Sequence, residues 1–329
     1  MTLSVHLLRL PYTQDTLALL RARLHPEVRL STGLELPTPP EYQILVAGRP
    51  EEEHLTASPN LQALIVPWAG IPEPTRQLMR EYPHIAVHNL HHNALPAAEL
   101  AITLLLAAAK LIIPMDRSMR AGDWTPRYEA NPSVLLEGKT ALILGFGAIG
   151  QRVAHLCRGL GMKVTVIRRH AEETPLESSP EMVIAPPGAL HDLLPQANAL
   201  IICLPHTDET TGLIDAEALA LLPPRAVLVN IARGPIVDEA ALYEALCDGT
   251  LHSAGLDVWY NYPAAEADRT RTPPSAFPFH ELSNMVMSPH RGGASEETEL
   301  LRVIHLSELL NTAARGEPMP NRVDLEAGY

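Results

Sequence analysis

The chain has 329 residues, of which 46% are hydrophobic and 19% charged, and its formal net charge is −13. This composition is typical of a globular protein and excludes a fibrous or disordered chain. The acidic excess repels nucleic acid and anionic membrane surfaces, so neither is expected as a partner. At about 150 residues per domain, the length predicts two domains.

Three cysteines and the N-terminal residues bear on the compartment. Cys157, Cys203 and Cys247 lie in apolar contexts and cannot all pair, which predicts buried free thiols in a reducing environment. The N-terminus lacks the charged start and cleavage site of a signal peptide. The longest apolar run, residues 100–109, is too short to span a bilayer. A cytoplasmic location is therefore expected.

Short apolar runs alternate with polar helical stretches in the first hundred residues. Strands are predicted at 4–8, 42–47, 63–67 and 85–88, and helices at 14–24 and 73–81. A long helical run is predicted from residue 94 to about 120, and the polar stretch 121–138 is typical of a linker. Alternating strands and helices predict a parallel sheet covered by helices.

A second alternating series begins at residue 140. Its predicted strands are 140–144, 163–167, 199–204, 226–230, 253–256 and 285–288, and its predicted helices are 148–160, 191–194, 216–221, 238–248 and 295–315. We expect the last helix to pack back on the first domain, because the second domain already has its full set of strands. The fold class is therefore α/β, with two doubly wound parallel-sheet domains.

A glycine-rich turn opens the second series. Residues 145–150 are GFGAIG, a G-x-G-x-x-G sequence that follows the apolar strand TALIL and begins a helix. A dinucleotide-binding turn needs this context. Gly145 permits the tight turn, Gly147 lets a pyrophosphate approach the backbone, and Gly150 lets helix and strand pack closely. The N–H groups at the start of the helix would face the phosphates.

The second strand of this series ends in Arg168 and Arg169. Many such folds carry an Asp or Glu there, which binds the ribose 2′-hydroxyl of NAD. Guanidinium groups instead suit a 2′-phosphate, through bidentate hydrogen bonds. NADP is therefore expected over NAD. NAD stays open, since the two arginines could be solvated loop charges.

Three polar residues follow three buried strands. Arg233 lies in NIARG, Asp257 in GLDV and His290 in SPHRGG. Carboxyl ends of parallel strands meet at one edge of a sheet, so these side chains could converge on one crevice. An Arg can hold a carboxylate, and a His can carry the proton that accompanies hydride transfer. Each residue alone could be structural, but their combination behind a nucleotide motif favours an active site.

These motifs resemble the D-isomer-specific 2-hydroxyacid dehydrogenase family. GFGAIG, CLPHTDETTGLI, VNIARGPIVDEAAL, AGLDV and SPHRGG occur in family order and spacing over about residues 135–293, and PWAG at 67–70 and NALPAAELAITLLLA from Asn93 match more loosely. The resemblance implies a homodimer. It also implies a flavodoxin-like substrate domain, residues 1–111 plus 295–329, and a Rossmann domain, residues 112–294.

The resemblance implies an NAD(P)-dependent D-2-hydroxyacid dehydrogenase similar to glyoxylate and hydroxypyruvate reductases. Arg233 would bind the substrate carboxylate and orient the keto oxygen, His290 would be the acid/base, and Asp257 would hold the nicotinamide amide. Substrate contacts are expected from Trp68, Ala69, Gly70 and Asn93. Further cofactor contacts are expected from Ala148, Ile149, Pro205, Ile231, Ala232 and Gly292.

One position departs from the family pattern. Tyr262 stands where the family usually has a Glu that bonds the catalytic His and raises its pKa. A phenol is neutral at pH 7, so it could orient the imidazole but would stabilise imidazolium less. We therefore expect a lower kinetic pKa for His290 than in relatives with Glu. The segment 264–276 is longer than the usual connection, and Glu266 and Glu281 are alternative carboxylate partners.

The expected activity is reduction, by NADPH, of a small 2-oxo acid such as glyoxylate, hydroxypyruvate or an aryl pyruvate. One alternative is an NADP(H)-binding regulator of the same fold with little or no turnover, which the missing Glu favours and which Arg233 and His290 oppose. Another is the same scaffold acting on formate or phosphite. The length predicts no added regulatory domain. His88, His91 and His92 show no metal-ligand spacing, so no metal is expected.

Overall fold

The computed structural model describes residues 2–8, 13–130, 132–171 and 182–326. The chain divides into two compact units, Met1–Asn93 with Ala294–Tyr329, and Ala94–Gly293. Each unit contains one parallel sheet with helices, which confirms the predicted α/β fold. The first boundary differs from the expected 111/112, because the helix after residue 93 packs on the sheet of the second unit.

The first unit is built on a five-stranded parallel sheet. Its strands are β1 (Leu3–Leu8), β2 (Val28–Gly33), β3 (Ile44–Val46), β4 (Ala63–Val66) and β5 (Ala86–Asn89), and its helices are α1 (Gln14–Arg23), α2 (Glu52–Thr56), α3 (Glu73–Arg80) and α10 (Thr298–Ala314). The strand order β2-β1-β3-β4-β5 is that of flavodoxin. Apolar side chains of α10 pack with those of β1 and β3 in one core, so the end of the chain completes this unit.

The second unit is built on a seven-stranded parallel sheet. Its strands are β6 (Thr140–Leu144), β7 (Lys163–Ile167), β8 (Met182–Ala185), β9 (Ala199–Ile202), β10 (Val227–Asn230), β11 (Ser253–Leu256) and β12 (Met285–Met287). Its helices are α4 (Ala94–Ala109), α5 (Ile112–Arg120), α6 (Ala148–Gly159), α7 (Leu190–Leu193), α8 (Ala216–Leu221) and α9 (Glu239–Cys247). The order β12-β11-β10-β9-β6-β7-β8 is the Rossmann order with one added strand.

The predicted helical run 94–120 is two helices. Leu111 has φ +50° between them, and α4 and α5 are bent by 69°. Pro114 explains the break, because its ring lacks an N–H and would collide with the carbonyl of Lys110 in a continuous helix. Within the described residues no single helix is long and apolar enough to cross a membrane, although this bent pair would be if counted together.

Three elements were missed and one cysteine was misplaced by the sequence analysis. Strand β2 lies at a sheet edge and is only partly buried, and its sequence VRLSTG shows no clear apolar run. Strand β8 is also an edge strand, and its apolar run MVIA has only four residues. Helix α2 has only five residues. Cys157 is buried and Cys203 partly buried as expected, but Cys247 is exposed at the end of α9.

Candidate active site

The sheet order of the second unit gathers the predicted residues along one edge. The loops after β12, β11, β10, β9, β6 and β7 all leave the carboxyl edge, in that spatial order. Along this edge His290, Asp257 and Arg233 follow β12, β11 and β10. The glycine turn follows β6, next to β9.

The glycine turn has the geometry that its sequence predicts. Gly145 has φ +96°, and a Cβ there would lie 2.8 Å from the Cys203 carbonyl oxygen. A Cβ on Gly150 would lie 2.0 Å from the Gly145 carbonyl oxygen. Gly147 precedes α6, and a Cβ there would meet nothing within 4 Å. The backbone is therefore open at the start of a helix, as a bound pyrophosphate requires.

The two arginines after β7 differ in their surroundings. The Arg168 N–H donates to the Ala185 carbonyl oxygen (3.1 Å), which ties the strand end to β8. Arg169 Nη2 donates to Oε2 of Glu209 (2.8 Å), on the loop after β9. Glu209 could not be predicted from the sequence as a partner of Arg169, because forty residues separate the two and no motif links them.

The Arg233 turn is shaped by Asn230, the last residue of β10. The Ala232 N–H donates to Asn230 Oδ1 (3.0 Å), and Asn230 Nδ2 donates to the Arg233 carbonyl oxygen (2.9 Å). A Cβ on Gly234 would lie 2.4 Å from the Trp259 carbonyl oxygen, so only glycine allows the two loops to approach. Ile231 and Ala232 are buried, whereas the side chain of Arg233 is exposed.

Asp257 anchors the turn that carries His290. Its buried carboxylate accepts hydrogen bonds from Ser288 Oγ (2.5 Å) and the Arg291 N–H (2.8 Å) on Oδ1, and from the Gly292 N–H (2.7 Å) on Oδ2. His290 has φ +57°, a conformation that a non-glycine residue adopts at a cost. The contacts of Asp257 on both sides of His290 hold this conformation. The expected contact of Asp257 with a nicotinamide amide stays a prediction.

Tyr262 contacts His290 directly. The Tyr262 hydroxyl lies 2.9 Å from His290 Nδ1, and the Trp259 N–H donates to the same hydroxyl oxygen (3.1 Å). Glu266 is instead paired with Arg269 (2.6 Å), and Glu281 lies 3.9 Å from His280. In this structure the partner of His290 is thus the phenol and neither alternative carboxylate.

The electrostatic surroundings favour the neutral form of both groups of this pair. Partial burial, and then the positive charge of Arg233, lower the pKa of His290, while the Asp257 carboxylate acts in the opposite direction. Partial burial raises the pKa of Tyr262, and the Asp257 charge adds to this, although Arg233 and the Trp259 N–H oppose it. Both shifts favour the neutral forms, a phenol and a neutral imidazole.

The substrate residues expected in the first unit lie near the carboxyl ends of β4 and β5. The indole of Trp68 covers Gly48, where a Cβ would lie 1.9 Å from the ring. The Ala69 carbonyl oxygen accepts a hydrogen bond from Asn89 Nδ2 (2.6 Å), which fixes the turn before the exposed Gly70. The buried Oδ1 of Asn93 has no hydrogen-bond partner among the described residues.

Two of the three histidines at positions 88, 91 and 92 are buried. His88 is buried and its Nδ1 is paired with the Pro320 carbonyl oxygen (2.8 Å), and His92 is 3% exposed. Elsewhere in the described chain Glu51, Glu53 and His54 offer ligand atoms within 4.8 Å of one another. His54 Nδ1 already accepts the Glu51 N–H there (2.9 Å). The expected absence of a metal stays a prediction.

Comparison with known proteins decides the family. Residues 102–292 match the profile described as "D-isomer specific 2-hydroxyacid dehydrogenase, NAD binding domain". The chain belongs to the D-isomer-specific 2-hydroxyacid dehydrogenase family. The family that the motifs resembled is thereby confirmed. The matched residues contain the glycine turn, Arg233, Asp257, Tyr262 and His290.

Individual relatives agree with this family. The chain is 32% identical over 336 residues to D-3-phosphoglycerate dehydrogenase of Mycobacterium leprae, an alignment that covers all of this chain and 60% of that protein. It is 37% identical over 234 residues to glyoxylate reductase of Aeropyrum pernix, covering 70% of this chain and 66% of that one. The chain thus spans about half to two thirds of the length of such relatives.

A solved structure supports the fold over the whole chain. The D-isomer specific 2-hydroxyacid dehydrogenase from Xanthobacter autotrophicus Py2, in complex with NADPH and MES, superimposes with a TM-score of 0.78. The two chains are 26% identical, and the comparison covers 100% of each. The family assignment therefore extends to both units of the fold.

Proposed function

We propose that this protein transfers a hydride between NADP(H) and a small 2-oxo or 2-hydroxy acid. The observation that carries the proposal is the setting of His290. Its turn is anchored on Asp257, its ring is bonded to Tyr262, and the charge of Arg233 acts on it. These groups share one sheet edge with a glycine turn that fits a dinucleotide. The nicotinamide, when bound, supplies or accepts the hydride.

Arg233 is proposed to bind the substrate carboxylate. Its Nη1 donates to the Ala232 carbonyl oxygen (2.6 Å), which fixes one side of the guanidinium. The exposed side chain keeps further N–H donors for the planar, bidentate recognition of a carboxylate. The same positive charge would polarise a keto oxygen next to the carboxylate and so stabilise negative charge that develops there.

His290 is proposed to deliver the proton through Nε2, because Nδ1 is engaged by Tyr262. The phenolic oxygen already accepts the Trp259 N–H, so its own proton is directed to Nδ1 when the imidazole is neutral. The neutral ring then carries its proton on Nε2, and it can deliver that proton only after a second proton has bound at Nδ1, because the acid in this step is the imidazolium. In the imidazolium, Nδ1–H donates to the phenolic oxygen instead, through its second lone pair. Tyr262 can therefore bond Nδ1 in both protonation states of the ring, as donor or as acceptor. An ionised carboxylate has no proton to donate and can only accept.

NADP preference is proposed from the two arginines after β7. Guanidinium groups bind a 2′-phosphate well, and the Xanthobacter autotrophicus relative was solved with NADPH. Pro205, Ile231, Ala232 and Gly292 follow strand ends at the same edge, which supports their proposed cofactor contacts.

The remaining proposals rest on the family resemblance. We assign the substrate carboxylate contacts of the first unit to the N–H groups of Ala69 and Gly70, with Trp68 and Asn93 beside them. We also propose that the protein is a homodimer and that it is located in the cytoplasm. Exposed apolar side chains on α5 and the segment after it, among them Met119, Trp124 and Tyr128, are consistent with a covered face. Light scattering of the purified protein measures the assembly state.

The proposed activity is tested by initial rates with NADPH and NADH on glyoxylate, hydroxypyruvate, pyruvate, phenylpyruvate and 2-oxoisocaproate. We expect turnover of at least one acid, with NADPH preferred. Arg233→Ala should lower kcat/KM by roughly 100-fold or more, since a charged contact to the reacting group is lost. Tight NADPH binding without turnover of any acid would contradict the proposal and favour a nucleotide-binding regulator.

A further inference from the structure

Glu209 brings a carboxylate to the end of β7, where the sequence itself has no acidic residue. The strand β7 ends in arginines rather than in the Asp or Glu that binds an NAD ribose. Glu209 Oε2 lies 2.8 Å from Arg169 Nη2, although the two residues are on different loops. The loop after β9 therefore holds an acidic group next to the arginine that follows β7.

The loop that carries Glu209 is held by its own hydrogen bonds. The Thr207 N–H donates to Thr210 Oγ1 (2.8 Å), and Thr210 Oγ1 donates to the Pro205 carbonyl oxygen (2.9 Å). The Thr211 N–H donates to the Thr207 carbonyl oxygen (3.0 Å). These bonds lie on both sides of Glu209, so the turn presents its side chain from a fixed backbone.

The ion pair crosses the nucleotide side of the sheet edge. Strands β7 and β9 are the two neighbours of β6, whose loop is the glycine turn. A bond between the loops after β7 and β9 therefore passes beside that turn, on the side where this fold places the adenosine ribose. The Arg169 side chain is 41% exposed and that of Glu209 is 77% exposed. Because exposed ion pairs contribute little to stability, we expect this pair to add little to the stability of the fold.

We propose that Arg169 and Glu209 form a paired selector for the two dinucleotides. Arg169 donates hydrogen bonds to the 2′-phosphate of NADP(H), and Glu209 accepts a hydrogen bond from the 2′-hydroxyl of NAD(H). The inference rests on the proposed function, because it takes the dinucleotide site for granted. On this proposal the protein binds both NADP(H) and NAD(H), and Glu209 weakens its preference for NADP(H). The Glu209 carboxylate repels a 2′-phosphate and partly offsets the positive charge of Arg169.

The selector predicts that one substitution moves the two affinities in opposite directions. Glu209→Gln removes the charge, keeps the size of the side chain and lies on the surface, so the fold should not change. We expect NADPH to bind about 2- to 5-fold more tightly, since a repulsive exposed charge is lost. We expect NADH to bind roughly 3- to 10-fold more weakly, since a charged acceptor of the 2′-hydroxyl is lost.

The measurement is the Kd of each nucleotide, from titration of reduced-nicotinamide fluorescence, with no substrate present. The control is Asp208→Asn, which removes the same charge from the neighbouring exposed residue. It should change the Kd of NADPH by less than Glu209→Gln does and leave the Kd of NADH unchanged. The gain in NADPH affinity should also shrink at high salt, because salt screens exposed charges.

Three results would overturn the inference. These are shifts of both Kd values in the same direction, an NADH Kd that Glu209→Gln leaves unchanged, and an Asp208→Asn variant that behaves like Glu209→Gln. If the wild-type protein binds neither nucleotide, the proposed function fails as well. That outcome is seen before any variant is made, so the two failures are distinguishable.

Discussion

Replacing Tyr262 by Glu should raise the kinetic pKa of His290. The phenol donates to or accepts from Nδ1 but carries no charge, so in the wild type no anion at position 262 stabilises the imidazolium. Partial burial and Arg233 then keep the pKa of His290 low, and the charge of Asp257 opposes them. A carboxylate at position 262 would add a second opposing charge close to the ring.

The size of the effect follows from distance and exposure. A Glu side chain is shorter than Tyr, so its carboxylate would lie about 5 Å from the imidazole, where two unit charges interact by about 1 kcal/mol in water and about 3 kcal/mol at a surface dielectric constant near 20. Tyr262 is 47% exposed, which favours the lower end. About 1.4 kcal/mol corresponds to a rise of one in the pKa.

The assay is the pH dependence of kcat/KM for reduction of the best 2-oxo acid. Reduction needs the proton on His290, so activity falls as pH rises through its pKa, and Tyr262→Glu should move this fall upward by about one pH unit. Tyr262→Gln matches Glu in size without the charge and should leave the fall where it is. Equal profiles for these two variants would refute the electrostatic reasoning. A wild-type pKa equal to that of relatives with Glu would refute the original expectation.

Three further perturbations test the scaffold of the site. Asp257→Asn puts an amide against the N–H groups that the carboxylate now accepts, so we expect a loss of roughly 1–3 kcal/mol in unfolding free energy and a lower kcat, by thermal denaturation and initial rates. Gly234→Ala places a Cβ 2.4 Å from the Trp259 carbonyl oxygen and should cost about 1–3 kcal/mol, whereas Gly188→Ala, where a Cβ meets nothing within 4 Å, should not. Burial, and then the charge of Arg302, lower the pKa of His92 from 6.5 to about 3. The unfolded chain therefore binds this proton first, so stability should fall below pH 6.5 by about 1.4 kcal/mol per pH unit down to about pH 3. A urea titration in which His92→Gln loses stability as steeply as the wild type would contradict that origin.

The interior strands of both sheets could be predicted from sequence, whereas one edge strand of each sheet, β2 and β8, could not. Interior strands such as β9 and β10 are buried at every position, and apart from Asn230 at the end of β10 each is a continuous apolar run. The edge strand β2 has no fully buried residue, and its sequence VRLSTG is no more apolar than a loop. The break before α5 was missed for another reason, since Pro114 stands inside an otherwise helical pattern and can either kink or end it.

The positions of the site residues could be predicted, but not the partners they use. Motif spacing places Arg233, Asp257 and His290 after parallel strands, and topology then brings these ends to one edge. The partners of Asp257 are backbone N–H groups, which every residue carries and no sequence pattern marks. Glu209 meets Arg169 only because β7 and β9 flank the same strand.

Tyr262 shows how the same scaffold tolerates loss of the usual charge. A Glu partner would fix the ring by accepting from Nδ1–H, and a residue that could only accept would leave a neutral ring with no proton on Nε2. A phenol, unlike a carboxylate, has a proton of its own to donate to Nδ1 of the neutral ring, and its raised pKa keeps that proton in place. The neutral imidazole then keeps an N–H on Nε2. The substitution thus gives up the higher pKa and gains control of the tautomer. A neutral ring with its proton on Nε2 cannot abstract a proton there, and donation still requires the imidazolium. We therefore expect Tyr262→Phe, which keeps the ring but loses the hydroxyl, to lower kcat for reduction by roughly 3- to 10-fold without shifting the pH profile by the amount expected for Glu.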